Sequence, residues 1–187
     1  MARSNINVVM HNTSGKVGGL LVFRRWFGQT IMGRIPQRSS DPPTPAQIKV
    51  RKNFGKSVAY AKSVMGNPPL LALYKAKAGQ GVSFLNLAIS DFIRSPVIGN
   101  IDTGAYNGAA GDTIIINVSD DFKVNSVSIS ISDVNGNLVE QGNAMQSGDN
   151  NDWIYLVTVA NAQAPGSRII VKATDLPGNV TSEVRVL

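Results

Sequence analysis

Oxygen donors make up most of the reactive side chains in this 187-residue sequence. Asp120-Asp121, Asp133 with Asn135 and Asn137, and Asp149-Asn150-Asn151-Asp152 are acid-rich clusters of the kind that bind calcium. The clearest of them fails on spacing. Asp133-Val134-Asn135-Gly136-Asn137 opens like a calcium loop, but no glutamate closes it, and a hairpin turn accounts for the same residues. Two carboxylates can also hydrolyse glycosides, yet no acid here is marked as held neutral beside a charged partner. The absence of cysteine excludes disulfides, thiolate metal sites and cysteine nucleophiles. His11, the single histidine, lies in an alternating stretch where a backbone hydrogen bond is its expected role. A Ser-His-Asp site would have to draw on it, with no G-x-S-x-G elbow in the chain. Thr13-Ser14-Gly15-Lys16-Val17-Gly18-Gly19 approaches a phosphate loop and misses it: the first glycine would fall at Met10, and Val17 stands where Ser or Thr must follow the lysine. The expectation is no enzyme, no metal and no cofactor.

What remains is cationic chemistry. Arg24, Arg25 and Trp26 form one basic and aromatic group, Arg34 and Arg38 follow, and Lys49, Lys52 and Lys56 recur at helical spacing. Such residues grip phosphates or an acidic protein surface. No helix-turn-helix, zinc-finger or RNA-binding signature accompanies them. The charge is sharply divided along the chain. Up to Ser95 there are 14 Lys/Arg against two acids, Asp41 and Asp91; from Pro96 onward there are 4 against 10. Opposite halves of identical chains can attract head to tail and build arrays or rings. A solvated basic face and a nucleic-acid-binding face are the competing readings.

The patterning that must position these residues changes at the same place. Residues 1–95 read as a basic α+β docking domain, with short strands first and helices after. Ile6, Val8 and Met10 alternate with polar residues; Leu20–Phe23 and Gln29–Met32 are further strands, with Arg24–Gly28 at the turn between them. Pro36 to Pro45 is an extended connector. Thr44-Pro45-Ala46-Gln47 fits a capping box, and behind it Val50, Phe54, Val58, Ala61 and Met65 mark one apolar helix face, with Lys49, Lys52 and Lys56 opposite. Gly66-Asn67-Pro68-Pro69 stops that helix. A second short helix begins at Leu70. The segment Val82–Ile93 is apolar nearly all round, so it must be buried here or against a neighbouring subunit. Pro96 marks the boundary.

Residues 96–187 switch to period two. Ile114, Ile116 and Val118, then Val127, Ile129 and Ile131, then Trp153, Tyr155, Val157 and Val159, then Ile169, Val171 and Ala173, then Val180 to Val186 define strands. Asn135-Gly136 predicts a hairpin joining Ser126–Asp133 to Asn137–Gln141, and Pro177-Gly178-Asn179 turns the last two strands. About seven short strands without a helix signal predict a β-sandwich. The closing segment Ala173-Thr174-Asp175-Leu176-Pro177-Gly178-Asn179 resembles the A-x-D-x-x-G-N hairpin of bacterial immunoglobulin-like domains. Asp120-Asp121-Phe122, Gly142-Asn143-Ala144 and Trp153-Ile154-Tyr155 stand in a similar order. The resemblance covers about residues 97–187 and implies an acidic immunoglobulin-like β-sandwich that serves as decoration, spacer or adhesive module.

Gly15-Lys16-Val17-Gly18, Arg34, and Thr44-Pro45-Ala46-Gln47 with Arg51 and Phe54 resemble an uncharacterised family of small proteins of Bacteroidota and their phages, patterned G-K-x-G … T-P-A-Q-x-x-x-R-x-x-F. That likeness covers about residues 15–60 and implies a phage-linked structural context. The resulting expectation is a structural or assembly protein, a virion component of the head-decoration or fibre-base kind, with protein partners that include copies of itself or a larger lattice. A nucleic-acid-binding protein and a surface adhesion module are the alternatives. No signal peptide and no apolar run of membrane-spanning length is evident, so the expected location is the virion or the cytoplasm.

Overall fold

Alternation in the second half of the chain builds two antiparallel sheets around one core. The computed structural model describes residues 2–4, 10, 13–26, 28–37, 40–79, 81–148 and 151–187, the first three by backbone alone. Strands β5 (Val97–Asp102), β6 (Thr113–Ser119), β10 (Asp152–Leu156) and β9 (Met145–Gln146) form one sheet in the order β5-β6-β10-β9. Strands β12 (Val180–Val186), β11 (Arg168–Asp175), β7 (Val124–Ser132) and β8 (Leu138–Asn143) form the other, in the order β12-β11-β7-β8. Ile98, Ile114, Ile116, Val118, Trp153 and Tyr155 of the first sheet meet Val127, Ile129, Ile131, Ile169, Val171 and Ala173 of the second in a single buried cluster. Each fully buried isoleucine there contributes roughly 1.5–3 kcal/mol relative to exposure.

The turns follow local chemistry. Asp133 Oδ1 accepts from the backbone of Asn135 and of Asn137, 2.8 Å each, and Oδ2 accepts from Asn137 Nδ2 at 2.9 Å, while Gly136 takes φ +86°. That carboxylate is occupied in closing the β7–β8 hairpin. Strand β10 ends at Leu156, so Val159 lies beyond it and is exposed.

Three helices precede the sandwich. Helix α1 (Pro45–Met65) starts at the capping box: Gln47 N–H donates to Thr44 Oγ1 at 3.3 Å and Thr44 N–H to Gln47 Oε1 at 3.1 Å. Helix α2 (Pro68–Lys77) begins two residues before Leu70, because Asn67 caps it and its two prolines occupy first-turn positions that need no N–H partner. The stop signal for α1 is thus also the start of α2. Helix α3 (Phe84–Ile93) is capped by Ser83.

The apolar face read for α1 is only half covered. Ser57, Ala61 and Val64 are buried, whereas Val50, Phe54 and Met65 are 67%, 52% and 54% exposed. Length explains it. Twenty-one residues span about 30 Å, and the ten residues of α3 cover about 15 Å of that. The first three turns of α1 extend past their cover.

The boundary at Ser95 does not interrupt the packing. Tyr74, Ala61, Val64 and Ala88 form a second buried cluster with Phe122 of the β6–β7 loop, and Leu176 packs against it. The Tyr74 and Phe122 rings stack with centroids 4.2 Å apart. Helix α3 therefore packs within this chain, but among its apolar residues only Ala88 is fully buried, and Ile93 is 53% exposed.

Strands β1 (Ala2–Ser4), β4 (Gln29–Arg34), β3 (Leu21–Trp26) and β2 (Gly15–Val17) form a separate antiparallel sheet in the order β1-β4-β3-β2. The predicted strand over Ile6 and Val8 lies outside the described residues, as does His11; Met10 lies in a turn. Among the described residues no helix is long and apolar enough to cross a membrane.

Candidate functional site

The first candidates are two exposed surfaces, the N-terminal sheet and the uncovered turns of α1. Strand pairing sets Val22 opposite Gly33, Arg24 opposite Ile31 and Trp26 opposite Gln29, so Arg24 and Trp26 share one face of the sheet. Arg25, one residue on from Arg24, pairs with Thr30 and points to the other face. The expected Arg24-Arg25-Trp26 group is thus split by the pleat. A cleft of about 250 Å³ lies on the Arg24 face, lined by Val22, Arg24, Ile31, Gly33, Arg34 and Pro36. Elsewhere on the N-terminal sheet and its turn Val17, Leu20 and Trp26 are 56%, 67% and 46% exposed.

Lys49, Lys52 and Lys56 are exposed along α1, on the side away from Val50 and Phe54. Arg38 lies outside the described residues. The edge strand β12 of the sandwich presents Val180, Val184 and Val186, each 56% exposed, with Glu183 and Arg185 between them and with Arg168 and Lys172 of β11 beside them.

The second candidate sits where the helices meet the sandwich, and sequence reasoning missed it. Asp91 of α3, Asp120 of the β6–β7 loop and Asp175 at the end of β11 each bring one carboxylate oxygen within 4.8 Å of the others. Asp91 is fully buried and Asp175 is 1% exposed. The Tyr74 hydroxyl donates to Asp91 Oδ2, and the Tyr60 and Tyr74 hydroxyls lie 3.0 Å apart. Burial pushes Asp91 up to about 7, with the Asp120 and Asp175 charges acting in the same direction. Burial also raises Asp175 and the Tyr60 and Tyr74 phenols.

Neighbouring cations are engaged elsewhere. Lys77 Nζ donates to the Asp121 and Phe122 carbonyls at 3.2 and 2.5 Å, and Arg94 pairs with Asp121. Asp120-Asp121 drew attention in the sequence, but its partners did not. A lone acid in the apolar segment Val82–Ile93 was the signal available for Asp91.

No family model and no curated protein matches this chain. Among solved structures, the crystal structure of CopC from Methylosinus trichosporium OB3b is similar over 50% of this chain and 90% of that chain, at 16% sequence identity and a TM-score of 0.37.

Proposed function

We propose that this protein is a non-enzymatic assembly component whose basic, apolar N-terminal surface docks on the acidic sandwich of a second copy, head to tail. The observation that carries the reading is the uncovered part of α1. Val50 and Phe54 continue the same helix face that Ala61 and Val64 bury, yet stand 67% and 52% exposed. An exposed apolar stripe of this kind, on a helix whose other side carries Lys49, Lys52 and Lys56, marks an interaction surface. Charge complementarity names the occupant: the lysines and arginines concentrate before residue 96 and the acids after it. A heterologous contact of this type propagates into rings or open arrays. The finer reading is a virion lattice component presenting an immunoglobulin-like sandwich, and it rests on the resemblances of residues 15–60 and 97–187.

Sedimentation of the full chain over rising concentration tests the proposal. Oligomers that grow with concentration and dissociate in salt support it. A monomer at every concentration contradicts it. Duplex DNA binding that falls linearly with salt on logarithmic axes, by a chain that stays monomeric, would assign the basic surface to nucleic acid instead.

A further inference from the structure

We propose that Asp91, Asp120 and Asp175 form a binding site for a hard divalent cation of the calcium type, which fastens the helices to the sandwich. Two of the carboxylates carry an oxygen with nothing to bind. Asp91 Oδ1 and Asp120 Oδ1 are buried and have no hydrogen-bond partner among the described residues, and Asp91 is 0% exposed. A buried carboxylate oxygen without a donor or a cation is strongly unfavourable.

The rest of the triad is held in place. Asp91 Oδ2 accepts from the Tyr74 hydroxyl, and Asp120 Oδ2 accepts from the Phe122 and Lys123 backbone at 3.4 and 3.1 Å. Asp175 Oδ1 accepts from the Gly178 and Asn179 backbone at 2.8 and 2.6 Å, and Oδ2 accepts from Asn179 Nδ2 at 2.7 Å. Donors thus orient each carboxylate from outside, in the manner of a metal site's outer shell.

Size and chemistry agree. Two oxygens bound to one calcium at about 2.3–2.6 Å lie at most about 5 Å apart, and the three here fall within 4.8 Å. An all-carboxylate set without nitrogen or sulfur selects a hard cation. An open cavity of about 440 Å³ lined by Arg94, Ser95, Val97, Ser119, Asp120 and Asp121 lies on the Asp120 side of the triad. A proton shared between Asp91 and Asp120 is the competing arrangement for these two oxygens, since Asp175 is already engaged by Gly178 and Asn179.

The probes are terbium and calcium, applied to the full chain after chelation. Terbium should bind at one site per chain and emit when tyrosine is excited, since Tyr74 touches Asp91; calcium should displace it. Saturating calcium should raise the thermal midpoint by roughly 5 °C. Asp120→Asn, at a partly exposed position, should abolish both effects, and Asp91→Asn likewise. Asp102→Asn, at the exposed end of β5, should retain them. Absence of emission and of any midpoint shift in the unaltered chain overturns the proposal, as does undiminished binding by folded Asp120→Asn. Either result assigns the triad to a shared proton.

Discussion

Asn179 and Arg94 are 85 residues apart in the chain, yet Asn179 Nδ2 lies 3.2 Å from the Arg94 carbonyl. The same nitrogen is 3.1 Å from the Phe92 carbonyl and 2.7 Å from Asp175 Oδ2. One side chain on the β11–β12 turn therefore caps the C-terminus of α3 and steadies the carboxylate beside it. Thr181 Oγ1 adds a second tie, donating to the Pro96 carbonyl at 2.5 Å.

Asn179→Ala removes the donor and leaves the α3 carbonyls facing a void. The expected cost is about 1–3 kcal/mol, measured by urea unfolding, with faster amide exchange in the last turn of α3. Asn179→Ser, which keeps a shorter donor, should fall between. Unchanged exchange in α3 would show that the tie carries no stability.

Tyr155 is 5% exposed, and burial, then the Glu140 carboxylate, pushes its phenol up to about 12. A folded pKa raised above the unfolded value of about 10 means that the neutral phenol favours the fold. That contribution is complete below pH 10 and is lost as pH rises toward 12. Tyr155→Phe cannot ionise, so the stability difference between the two proteins should move in the variant's favour by about 2 kcal/mol across that window. Denaturant titrations at successive pH values read this directly, and parallel curves would contradict it.

Two glycines with similar backbone angles separate strain from crowding. Gly136 (φ +86°) has open space where a Cβ would stand, whereas at Gly108 (φ +91°) a Cβ would meet the Asn161 carbonyl oxygen at 2.4 Å and Ala164 Cβ at 2.8 Å. Gly136→Ala should cost about 1 kcal/mol and Gly108→Ala at least about 3 kcal/mol. Thermal unfolding of the pair checks the order; equal losses would mean that the loop at Gly108 yields.

Much of the sandwich was legible because its signals are local. Inward residues such as Ile129 and Val171 repeat every second position, and the Asn135-Gly136 and Pro177-Gly178-Asn179 turns lie between the strands they join. The Thr44–Gln47 box was legible for the same reason. Cover was not. The apolar spacing of Val50 through Met65 identifies a face but cannot say how far α3 reaches along it. Nor could local pattern show that Asp91, Asp120 and Asp175 converge, because 29 and 55 residues separate them. Arg24 and Arg25 looked like one group until strand pairing set them on opposite faces.

Phe54 provides the contrast between a folding residue and a docking residue. It is 52% exposed, so Phe54→Ser should change thermal stability by under about 1 kcal/mol, while Val64→Ala, fully buried ten residues further along the same helix, should cost about 1–3 kcal/mol. Phe54→Ser should nonetheless shift the oligomer distribution toward monomer. A variant that unfolds readily would show that Phe54 serves the fold.

Hydrogen exchange of the full chain, compared between concentrated protein at low salt and dilute protein at high salt, tests the docking claim most directly. Slower exchange is expected in residues 15–34 and 45–56 and along β12 in the concentrated sample, with the β7 and β11 core unaltered. Identical exchange of residues 45–56 under both conditions would contradict the account.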